Sequence, residues 1–599
     1  MARLASTRGA NLRFASEYSG GAISIEQFLL LARAADVETA QTITHQTILG
    51  WWDGSVKMLE SDRLGLQPVS YPRPLYPISN ELQESAYQFG RALARLEVIR
   101  ANAVVGNLYT ALLPSAHRSE QGIFYTPPVL VEHVLNRAEQ AGHNWLTCKA
   151  VDPACGAGVF VLAAASRMLR NLAGSEPRIL LTNVGTRLRG WDLDPMAAWI
   201  TQVSAEILVL PHVVSCMMRL PRIASQRNTL AAFQDGQGQF ALVMGNPAFG
   251  KIKLTPKIAG NFRRSLYGHA NTYGLFTDVA VRLAQANGGI VAFVTPPSYL
   301  SGQYFTALRR MLRREAPPTS IDIVESRHGV FSGVLQEVAV SVFKREIADA
   351  GASCAIVRLR DGTIDVQQTG TLTFSERLED PWLLPRHSHH AGLVSRLHEM
   401  PTRLSDLGYR VSTGPLVWNR HKTQLHLRPA NGRVPVIWAD AVTQQCKFSE
   451  DAVKLHHRCH RWYEPSRISD PSLVNKSCIL VQRTTAKEQD RRLVCAVLPA
   501  SFIRKHRYVA VENHLNMIVS NSTKPAIPLK ALSIFLKTHV ADQILRCISG
   551  SVAISATELE AMPLPSAEEL LRACKSADVE AAIRRLYRIE TSDAPAHSD

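Results

Sequence analysis

The chain has 599 residues, which is too long for one hydrophobic core, so two to four domains are expected. Its 46% hydrophobic and 20% charged residues are typical of a globular chain and exclude a disordered, collagenous or disulfide-stapled protein. The formal net charge of +16 points to polyanions or anionic surfaces as partners, and most of the excess lies in residues 401–550, where 23 basic residues stand against 10 acidic ones.

Cysteine usage and the lack of long apolar runs predict the compartment. The ten cysteines are spread over the chain without a Cys-x-x-Cys pair, as in proteins of reducing compartments, so we expect no disulfides. No apolar run approaches the roughly 18 residues needed to span a bilayer, and no secretory leader pattern opens the chain. We therefore expect a cytoplasmic protein with no membrane partner.

The sequence pattern changes twice along the chain. Residues up to about 118 show apolar spacings near 3.6, as in 84–98, and predict helices. From there to about 345, short β-branched runs such as 289–295 alternate with amphipathic stretches such as 304–314, which is typical of βαβ units and a mainly parallel sheet. After Pro385 the pattern becomes irregular and basic. The predicted domains are a helical N-terminal region (1–118), an α/β domain (119–347), a connector (348–389), a mixed α+β domain (390–567) and a C-terminal helix with a tail (568–599).

The strongest local signal is the segment 151–160, Val-Asp-Pro-Ala-Cys-Gly-Ala-Gly-Val-Phe, which lies between an apolar strand and an Ala-rich helix. Glycines at a strand-to-helix turn let the backbone approach a ligand closely, and the helix N-terminus offers free N–H groups. Small residues there leave room for a cofactor. A plain tight turn explains the same pattern in isolation, but this segment does not stand alone.

The next predicted strand ends in an acidic residue, Asp192, within the segment 189–195. In doubly wound folds that bind nucleosides, a carboxylate at this place accepts hydrogen bonds from both ribose hydroxyls. Asp192 is the candidate for that role. Asp194 is equally well explained as the N-cap of the following helix.

A further apolar strand, in the segment 240–250, ends in an amide, a proline and an aromatic ring: Asn246, Pro247 and Phe249. A side-chain carbonyl beside a backbone carbonyl can accept both hydrogens of an exocyclic amine, and a neighbouring ring can stack on the base that carries it. The segment therefore predicts a binding site for the amino group of a planar heterocycle. Asn-Pro is also a common turn initiator, which is the alternative explanation.

Together, in this order, the three segments resemble the class I S-adenosylmethionine-dependent amino-methyltransferases. They are most similar to the gamma-type DNA adenine-N6 methyltransferases of restriction-modification systems. Residues 152–160 resemble the D-P-A-C-G-S-G-x-F cofactor loop of that family, Asp192 its ribose-binding acid, and residues 246–249 its N-P-P-Y catalytic tetrapeptide.

Three other segments extend the resemblance. Residues 124–128 resemble the segment before the first helix, which contacts the methionine part of the cofactor. Residues 271–276 resemble the helix whose Phe packs near the cofactor adenine, and residues 329–338 the motif whose Phe stacks on the flipped base. The cofactor-binding residues that the resemblance implies are Tyr125, Thr126, Pro127, Asp152, Pro153, Ala154, Cys155, Gly156, Gly158, Phe160, Asp192, Asn228, Asn246 and Phe276. The catalytic residues that it implies are Asn246, Pro247 and Phe249, with Phe249 and Phe331 stacking on the target base.

The resemblance implies a Rossmann-like, mainly parallel sheet and a metal-free reaction. The methyl group of S-adenosylmethionine would pass directly to the N6 amine of an adenine that is flipped out of duplex DNA. The chain would then be the modification half of a restriction-modification system, with any cognate restriction endonuclease on a separate chain.

Three positions depart from the family pattern. Ala248 replaces the second proline of the tetrapeptide and removes a ring that stiffens the loop, whereas Phe249 keeps a stacking face and loses only the hydroxyl. Asn228 stands where the family usually has an Asp that holds the adenine amino group, and an amide accepts that bond more weakly. Ala157 for Ser is a mild change. We expect activity to survive these departures.

The basic C-terminal block resembles the target-recognition domain of the same family. Arg, Lys, Asn and Gln side chains are what phosphate neutralisation and base-edge readout require, and a solvated basic face is the alternative for any one segment. The residues predicted to contact DNA are Trp418, Asn419, Arg420, Lys422, Arg483, Lys487, Arg504, Lys505 and Arg507.

Several alternatives stay open at this point. An N4-cytosine enzyme uses the same amine chemistry but usually begins the tetrapeptide with Ser, and a protein-glutamine methyltransferase is much shorter. A decayed DNA-binding module would explain Ala248 and Asn228. A C5-cytosine enzyme is disfavoured because the chain has no Pro-Cys dipeptide. The cluster His456, His457, Cys459 and His460 lacks a second ligand pair at finger spacing, so we expect no zinc site.

Overall fold

The structure is a computed structural model. It describes residues 36–59, 65–114, 116–118, 126–325, 337–346, 351–360, 362–450, 460–467, 469–485, 489–548 and 553–589. The chain divides into two compact units. The first comprises residues 1–296 and 307–367, and the second comprises residues 297–306 and 368–599.

The first elements described in this unit are helices. Helix α1 (Val37–Met58) is capped by the Asp36 side chain, which accepts a hydrogen bond from the Thr39 N–H. The apolar stretch 84–98 is divided between α2 (Asn80–Leu93) and α3 (Val98–Leu112) rather than forming one helix. The helices that follow are α4 (Pro128–Gln140), α5 (Val159–Asn171), α6 (Pro177–Arg187), α7 (Pro195–Leu208), α8 (Leu210–Cys216), α9 (Pro256–Asn261), α10 (Thr272–Leu283) and α11 (Thr306–Glu315).

A nine-stranded sheet forms the centre of this unit. Its strands are β1 (Ala150–Asp152), β2 (Leu188–Asp192), β3 (Ala224–Gln226), β4 (Leu242–Gly245), β5 (Ile290–Thr295), β6 (Pro318–Val324), β7 (Val338–Lys344), β8 (Ala352–Arg360) and β9 (Thr363–Leu372). Their order is β3-β2-β1-β4-β5-β7-β6-β8-β9. Strands β1 to β5 are parallel to one another, and β7 runs antiparallel between β5 and β6. This α/β arrangement confirms the predicted fold class.

Burial on both faces of the sheet explains why central strands such as β5 have continuously apolar sequences. All six residues of β5 are buried, as expected for a parallel strand covered on both faces. The main core joins the sheet to the helices around it and includes Trp51 of α1, Val105 of α3 and Phe160 of α5. The N-terminal helices are therefore packed into the same core as the sheet.

The second unit has two smaller sheets. Strands β10 (Tyr409–Thr413), β15 (Ile479–Gln482), β16 (Cys495–Val497) and β18 (Leu515–Ser520) form one, in the order β10-β18-β15-β16. Strands β11 (Leu425–His426), β12 (Val434–Ile437), β13 (Trp462–Tyr463), β14 (Leu473–Val474) and β17 (Val509–Val511) form the other, in the order β11-β13-β12-β17-β14. The helices are α12 (His390–His398), α13 (Ala500–His506), α14 (Leu529–Leu536), α15 (His539–Ile548), α16 (Ala556–Glu560), α17 (Ala567–Cys574) and α18 (Val579–Leu586).

Helix length and hydropathy bear on the question of a membrane span. Within the described part of the chain, no single helix is long and apolar enough to cross a bilayer. The bent pair α7 and α8, which meet at 62°, reaches that length and composition only when the two helices are taken together.

Candidate active site

The predicted site residues follow neighbouring strands at one edge of the sheet. Strand β1 pairs in parallel with both β2 and β4, in a register that sets Asp152 beside Gly190 and Val151 beside Val243. The carboxyl ends of parallel strands meet at the same edge, which is where ligands bind in open α/β sheets. Asp152, Asp192 and Asn246 are therefore brought to a common edge.

A hydrogen bond holds the turn after β1 to the end of β2, and another stabilises the turn itself. The Gly156 N–H donates to Asp192 Oδ2 at 2.9 Å, and the Ala154 N–H donates to Asp152 Oδ1 at 3.0 Å. Gly156 and Gly158 have φ values of 52° and 94°, in the left-handed region that favours glycine. Gly158 is also the N-cap of α5, so the turn delivers the chain directly into a helix N-terminus.

Two carboxyl groups give the site its electrostatic character. Burial raises the pKa of Asp152 to about 8; the hydrogen bond from Ala154 opposes this rise, and the charge of Asp192 adds to it. Burial also raises the pKa of Asp192 to about 6, against hydrogen bonds from the Asp194 and Gly156 N–H groups. A positively charged ligand bound beside this pair would stabilise both ionised forms.

The tetrapeptide at the end of β4 lies directly against the first of these carboxyl groups. A Cβ on Gly245, whose φ is 147°, would come within 2.6 Å of Asp152 Oδ1, so only a glycine leaves space for that carboxyl group. Asn246, the next residue, donates from Nδ2 to Thr126 Oγ1 at 2.9 Å. Its Oδ1 is buried and has no hydrogen-bond partner among the described residues.

This arrangement fixes what Asn246 can do. Because the Thr126 hydroxyl takes the amide hydrogen, the amide is oriented with its oxygen as the remaining functional atom. A buried carbonyl oxygen without a donor is energetically unfavourable, and such atoms are found where a ligand supplies the donor. Phe249 lies three residues on, with its ring 6.3 Å from that of Tyr273 in an edge-to-face arrangement at 84°.

The residues at this edge fit S-adenosylmethionine as the bound cofactor. Its sulfonium and ammonium groups match the carboxyl groups of Asp152 and Asp192, and its ribose hydroxyls match the role predicted for Asp192. The Asn246 Oδ1 atom has no hydrogen-bond partner among the described residues. Asn246 directly follows Gly245, which packs against the Asp152 carboxyl group. An amine substrate that binds this oxygen would therefore be near the methyl donor. The residues that would hold the cofactor are thus Asp152, Asp192 and the backbone of the turn that contains Gly156.

The structure also shows where the other predicted cofactor residues lie. Pro127 begins α4 as its N-cap, and Phe276 is buried in α10. The Cys155 and Phe160 side chains are buried in the core. Asn228 is exposed and accepts a hydrogen bond from the Ala231 N–H at 3.3 Å. The predicted residues Tyr125 and Phe331 lie outside the described part of the chain.

Sequence reasoning missed several residues that support the site. Asn102 of α3 is fully buried and donates from Nδ2 to the Ala157 carbonyl at 2.7 Å. Tyr109 of the same helix donates to Asp194 Oδ2 at 2.6 Å, while Asp194 caps α7 by accepting from the Met196 N–H. These contacts join segments far apart in sequence, and no local pattern marks the residues that make them.

Two threonines complete this support. The Thr201 hydroxyl donates to the Gly156 carbonyl at 2.9 Å, and the buried Thr229 hydroxyl donates to the Pro153 carbonyl at 2.7 Å. The second bond ties the 228–230 turn to the turn after β1. Asn228 is thereby held close to the residues of that turn.

The residues predicted to contact DNA lie in the second unit. Lys422 Nζ is 5.8 Å from the centroid of the Trp418 ring. Arg483 donates to the Asn513 carbonyl at 3.2 Å, and the Asn513 N–H donates to the Leu416 carbonyl at 3.0 Å, which connects Arg483 to the backbone two residues before Trp418. The other predicted residues in the described part are Asn419 and Arg420 in a 3-10 turn, Arg504 and Lys505 in α13, and Arg507 directly after it. Lys487 lies outside the described residues.

The cluster at 456–460 is the metal-like cluster of the sequence. Across the described ranges, no group of three or more His, Cys, Asp or Glu side chains could hold a metal ion. Of the histidine-rich cluster at 456–460, only His460 is described.

Comparison with known proteins finds similarity to methyltransferases of restriction-modification systems. Residues 187–331 match the family described as Eco57I restriction-modification methylase. The chain is 24% identical over 471 residues to the Type II methyltransferase M.BsuBI of Bacillus subtilis, covering 76% of this chain and 89% of that protein. It is 26% identical over 336 residues to the Type II methyltransferase M.PstI of Providencia stuartii, covering 54% and 65%.

Among solved structures, the fold is similar to that of the Type IIL restriction-modification enzyme MmeI in complex with DNA. The TM-score is 0.54 at 12% identity, and the superposition covers 99% of this chain and 97% of that one. The family match and the methyltransferase relatives confirm the sequence-based prediction of a DNA methyltransferase of the restriction-modification class with S-adenosylmethionine as its cofactor.

Proposed function

We propose that this restriction-modification methyltransferase acts on the N6 amine of adenine in duplex DNA. The observation that carries the proposal is the buried, unpartnered Oδ1 of Asn246, next in sequence to the glycine that packs on the Asp152 carboxyl group. The Asn at the start of the tetrapeptide favours adenine over cytosine, because N4-cytosine enzymes of this class usually begin it with Ser.

The reaction requires the target base to leave the helix. Flipping costs a few kcal/mol, and stacking on the Phe249 ring would return about 1–3 kcal/mol of that. Asn246 Oδ1 and the Pro247 carbonyl oxygen would accept the two amine hydrogens. Those bonds draw the nitrogen lone pair away from the ring and orient it for attack, and Phe331 is the predicted second stacking ring.

The cofactor supplies the methyl group as a sulfonium-activated electrophile. Asp192 would bind the ribose hydroxyls, and Asp152 would lie next to the cationic part. Thr126 would hold the Asn246 amide so that its oxygen, rather than its nitrogen, faces the base. Alignment of the amine with the methyl donor and the electrostatic environment of the site then lower the barrier without a covalent enzyme intermediate.

Duplex DNA is the proposed partner, bound partly by the second unit through residues around Trp418, Lys422 and Arg483. The cognate restriction endonuclease is proposed to be on a separate chain. The purified protein would then methylate duplex DNA but leave it intact in the presence of Mg²⁺, which gel electrophoresis of the treated DNA would check. Cleavage by the purified chain would contradict this part of the proposal.

The test of the central proposal combines modified-base sequencing with one substitution. DNA from a host that expresses the protein should contain N6-methyladenine at a defined sequence. Asn246→Ala should lower the methylation rate by about 100- to 1,000-fold, the usual effect of removing one oriented hydrogen-bonding group from an active site, while S-adenosylmethionine still binds.

A matched control is Asn171→Ala, which removes an exposed amide at the end of α5. It should leave the methylation rate unchanged. Detection of N4-methylcytosine would overturn the choice of base. Unchanged methylation by Asn246→Ala would overturn the proposed role of the amide, and DNA binding without cofactor binding by the wild-type protein would indicate a decayed module.

A further inference from the structure

One segment of the first unit carries charge that the proposed chemistry does not use. Residues 250–271 directly follow the tetrapeptide and contain five Lys or Arg residues but no Asp or Glu. We infer that this segment, called the basic flap, is a DNA-contact surface that binds backbone phosphates beside the extruded nucleotide. The inference rests on the proposed function and adds a second contact surface, on the first unit, to the one predicted on the second.

The two ends of the basic flap are joined next to the active site. Lys251 and Asn271 form an antiparallel bridge, and the Ile252 N–H donates to the Ala270 carbonyl at 3.2 Å. The Thr272 N–H donates to the Gly250 carbonyl at 2.8 Å. The segment is therefore a closed loop whose base follows Phe249 immediately, so a strand that places its base on Phe249 must pass the flap.

The second half of the flap is fixed to the core. Phe262 is fully buried, and the Arg264 side chain donates to Asp278 of α10, with Nη2 2.5 Å from Oδ1, and also pairs with Glu315. Arg282 donates to the Asn261 carbonyl at 2.6 Å. Burial alone would raise the pKa of Asp278, but the hydrogen bonds from these two arginines lower it. The charge of Arg264 is thus neutralised inside the protein.

The remaining four cations face solvent. Lys251, Lys253, Lys257 and Arg263 are exposed, and none of them pairs with an acidic side chain in the described part of the chain. Four unpaired cations on a pre-ordered loop form the surface that a phosphate backbone needs, since each bound phosphate releases counterions. Tyr267 is 52% exposed on the same loop and adds an aromatic face of the kind on which bases stack.

Two neighbouring arginines of the basic flap, Arg263 and Arg264, have different environments. Arg264 pairs with buried acids and holds the loop in place, whereas Arg263 stays outside with its charge available. A loop that served only to cover the core would not need the exposed lysines, and a solvated basic face would not need the ordered base beside Phe249.

The experiment measures the salt dependence of DNA binding. The flap variant replaces Lys251, Lys253 and Lys257 by Gln. Its control replaces three exposed cations near the opposite, amino-terminal edge of the sheet by Gln: Lys149, Arg170 and Arg222. For each protein, the association constant for a duplex that contains the methylated sequence is measured by fluorescence anisotropy over a series of salt concentrations.

The flap variant should bind DNA more weakly, and the slope of log K against log[salt] should fall by about 0.9 for each phosphate that the variant no longer binds, up to about 2.7 for three. The control should keep the wild-type slope. Calorimetric affinity for S-adenosylmethionine should be the same in all three proteins, because the flap lysines are proposed to contact DNA only. The single variant Lys257→Gln should lower the slope by about 0.9 and serves if the triple variant is poorly folded.

The outcomes separate the inference from the proposed function. A wild-type slope in the flap variants, with wild-type DNA binding intact, would overturn the inference and leave the proposed function standing. An equal fall in slope for the control would also overturn it, because the effect would then reflect net charge alone. Failure of the wild-type protein to bind or methylate DNA would overturn the proposed function itself.

Discussion

The carboxyl groups of Asp152 and Asp192 are expected to make cofactor binding depend on pH. In the ligand-free protein the pKa of Asp152 is raised to about 8, so this group is mostly protonated at pH 7. A bound cation favours the ionised carboxylate, so binding of S-adenosylmethionine is expected to lower the pKa and release a proton. Affinity should therefore increase with pH up to about pH 8 and level off above it.

The size of the effect follows from the pKa. If the complex holds Asp152 fully ionised, about 0.9 proton is released per cofactor bound at pH 7, and affinity at pH 8 exceeds affinity at pH 6 by about fiftyfold. Asp192, with a pKa of about 6, adds a smaller dependence below that pH. The variant Asp152→Asn keeps an oxygen to accept the Ala154 hydrogen bond but cannot ionise, so it should release almost no proton at pH 7.

The assay is calorimetry of cofactor binding in two buffers of different ionisation enthalpy, such as phosphate and Tris, at pH 6, 7 and 8. The difference in observed enthalpy gives the number of protons released. The amine of the cofactor also titrates near pH 8, but it does so equally for both proteins, so the difference between wild type and Asp152→Asn isolates Asp152. Equal proton release by the two proteins, or a wild-type affinity independent of pH, would refute the reasoning.

The same pKa predicts the stability of the ligand-free protein. The pKa of this carboxyl group is higher in the folded state than in the unfolded state. The free energy of unfolding of the protein therefore falls as pH rises from about 4 to about 8. Asp152→Asn removes that loss, so it should raise the unfolding temperature more at pH 8 than at pH 5. An equal gain at pH 5 and pH 8 would show that the pKa of Asp152 is not raised in the folded protein.

Other expected outcomes follow from single contacts. Thr126→Val should lower the methylation rate about tenfold by releasing the Asn246 amide, with recovery in Thr126→Ser; an unchanged methylation rate would contradict the positioning role. Asn102→Ala leaves the Ala157 carbonyl without its buried donor and should cost about 1–3 kcal/mol in urea unfolding and weaken cofactor binding; unchanged stability would contradict it. Asp322 is a buried carboxylate that pairs with one histidine and one arginine of α4. Asp322→Asn should lower the free energy of unfolding by about 3–5 kcal/mol, and a decrease below about 1 kcal/mol would contradict the importance of the ion pair.

The parts of the site that were predictable share one property. Each of Asp152, Asp192 and Asn246 lies at the end of an apolar strand, and parallel strands bring such ends to one edge whatever the length of chain between them. Local pattern and general topology were therefore sufficient to bring them together. The antiparallel insertion of β7 between β5 and β6 was not predictable, because strand order at that edge depends on long-range pairing rather than on the residues of β7.

The supporting contacts were not predictable for a different reason. The bond from Asn246 to Thr126 joins residues 120 positions apart, and the bond from Asn102 to Ala157 joins residues 55 apart. A threonine before a helix or an asparagine within one has many local explanations, and only the folded backbone shows which atom it reaches. The orientation of the Asn246 amide is set by such a contact, so the sequence predicts the residue but not which of its amide atoms faces the site.

Helix α3 shows how far the site extends beyond the residues that carry the motifs. Asn102 and Tyr109 lie seven positions apart, about two helical turns, and so occupy the same face of α3. One contacts the glycine turn after β1, and the other contacts the cap of the helix that follows Asp192. Burial raises the pKa of the Tyr109 hydroxyl and keeps it a donor. A single helix face thus holds both loops that the cofactor is expected to touch, and this helix precedes the family match, which begins at residue 187.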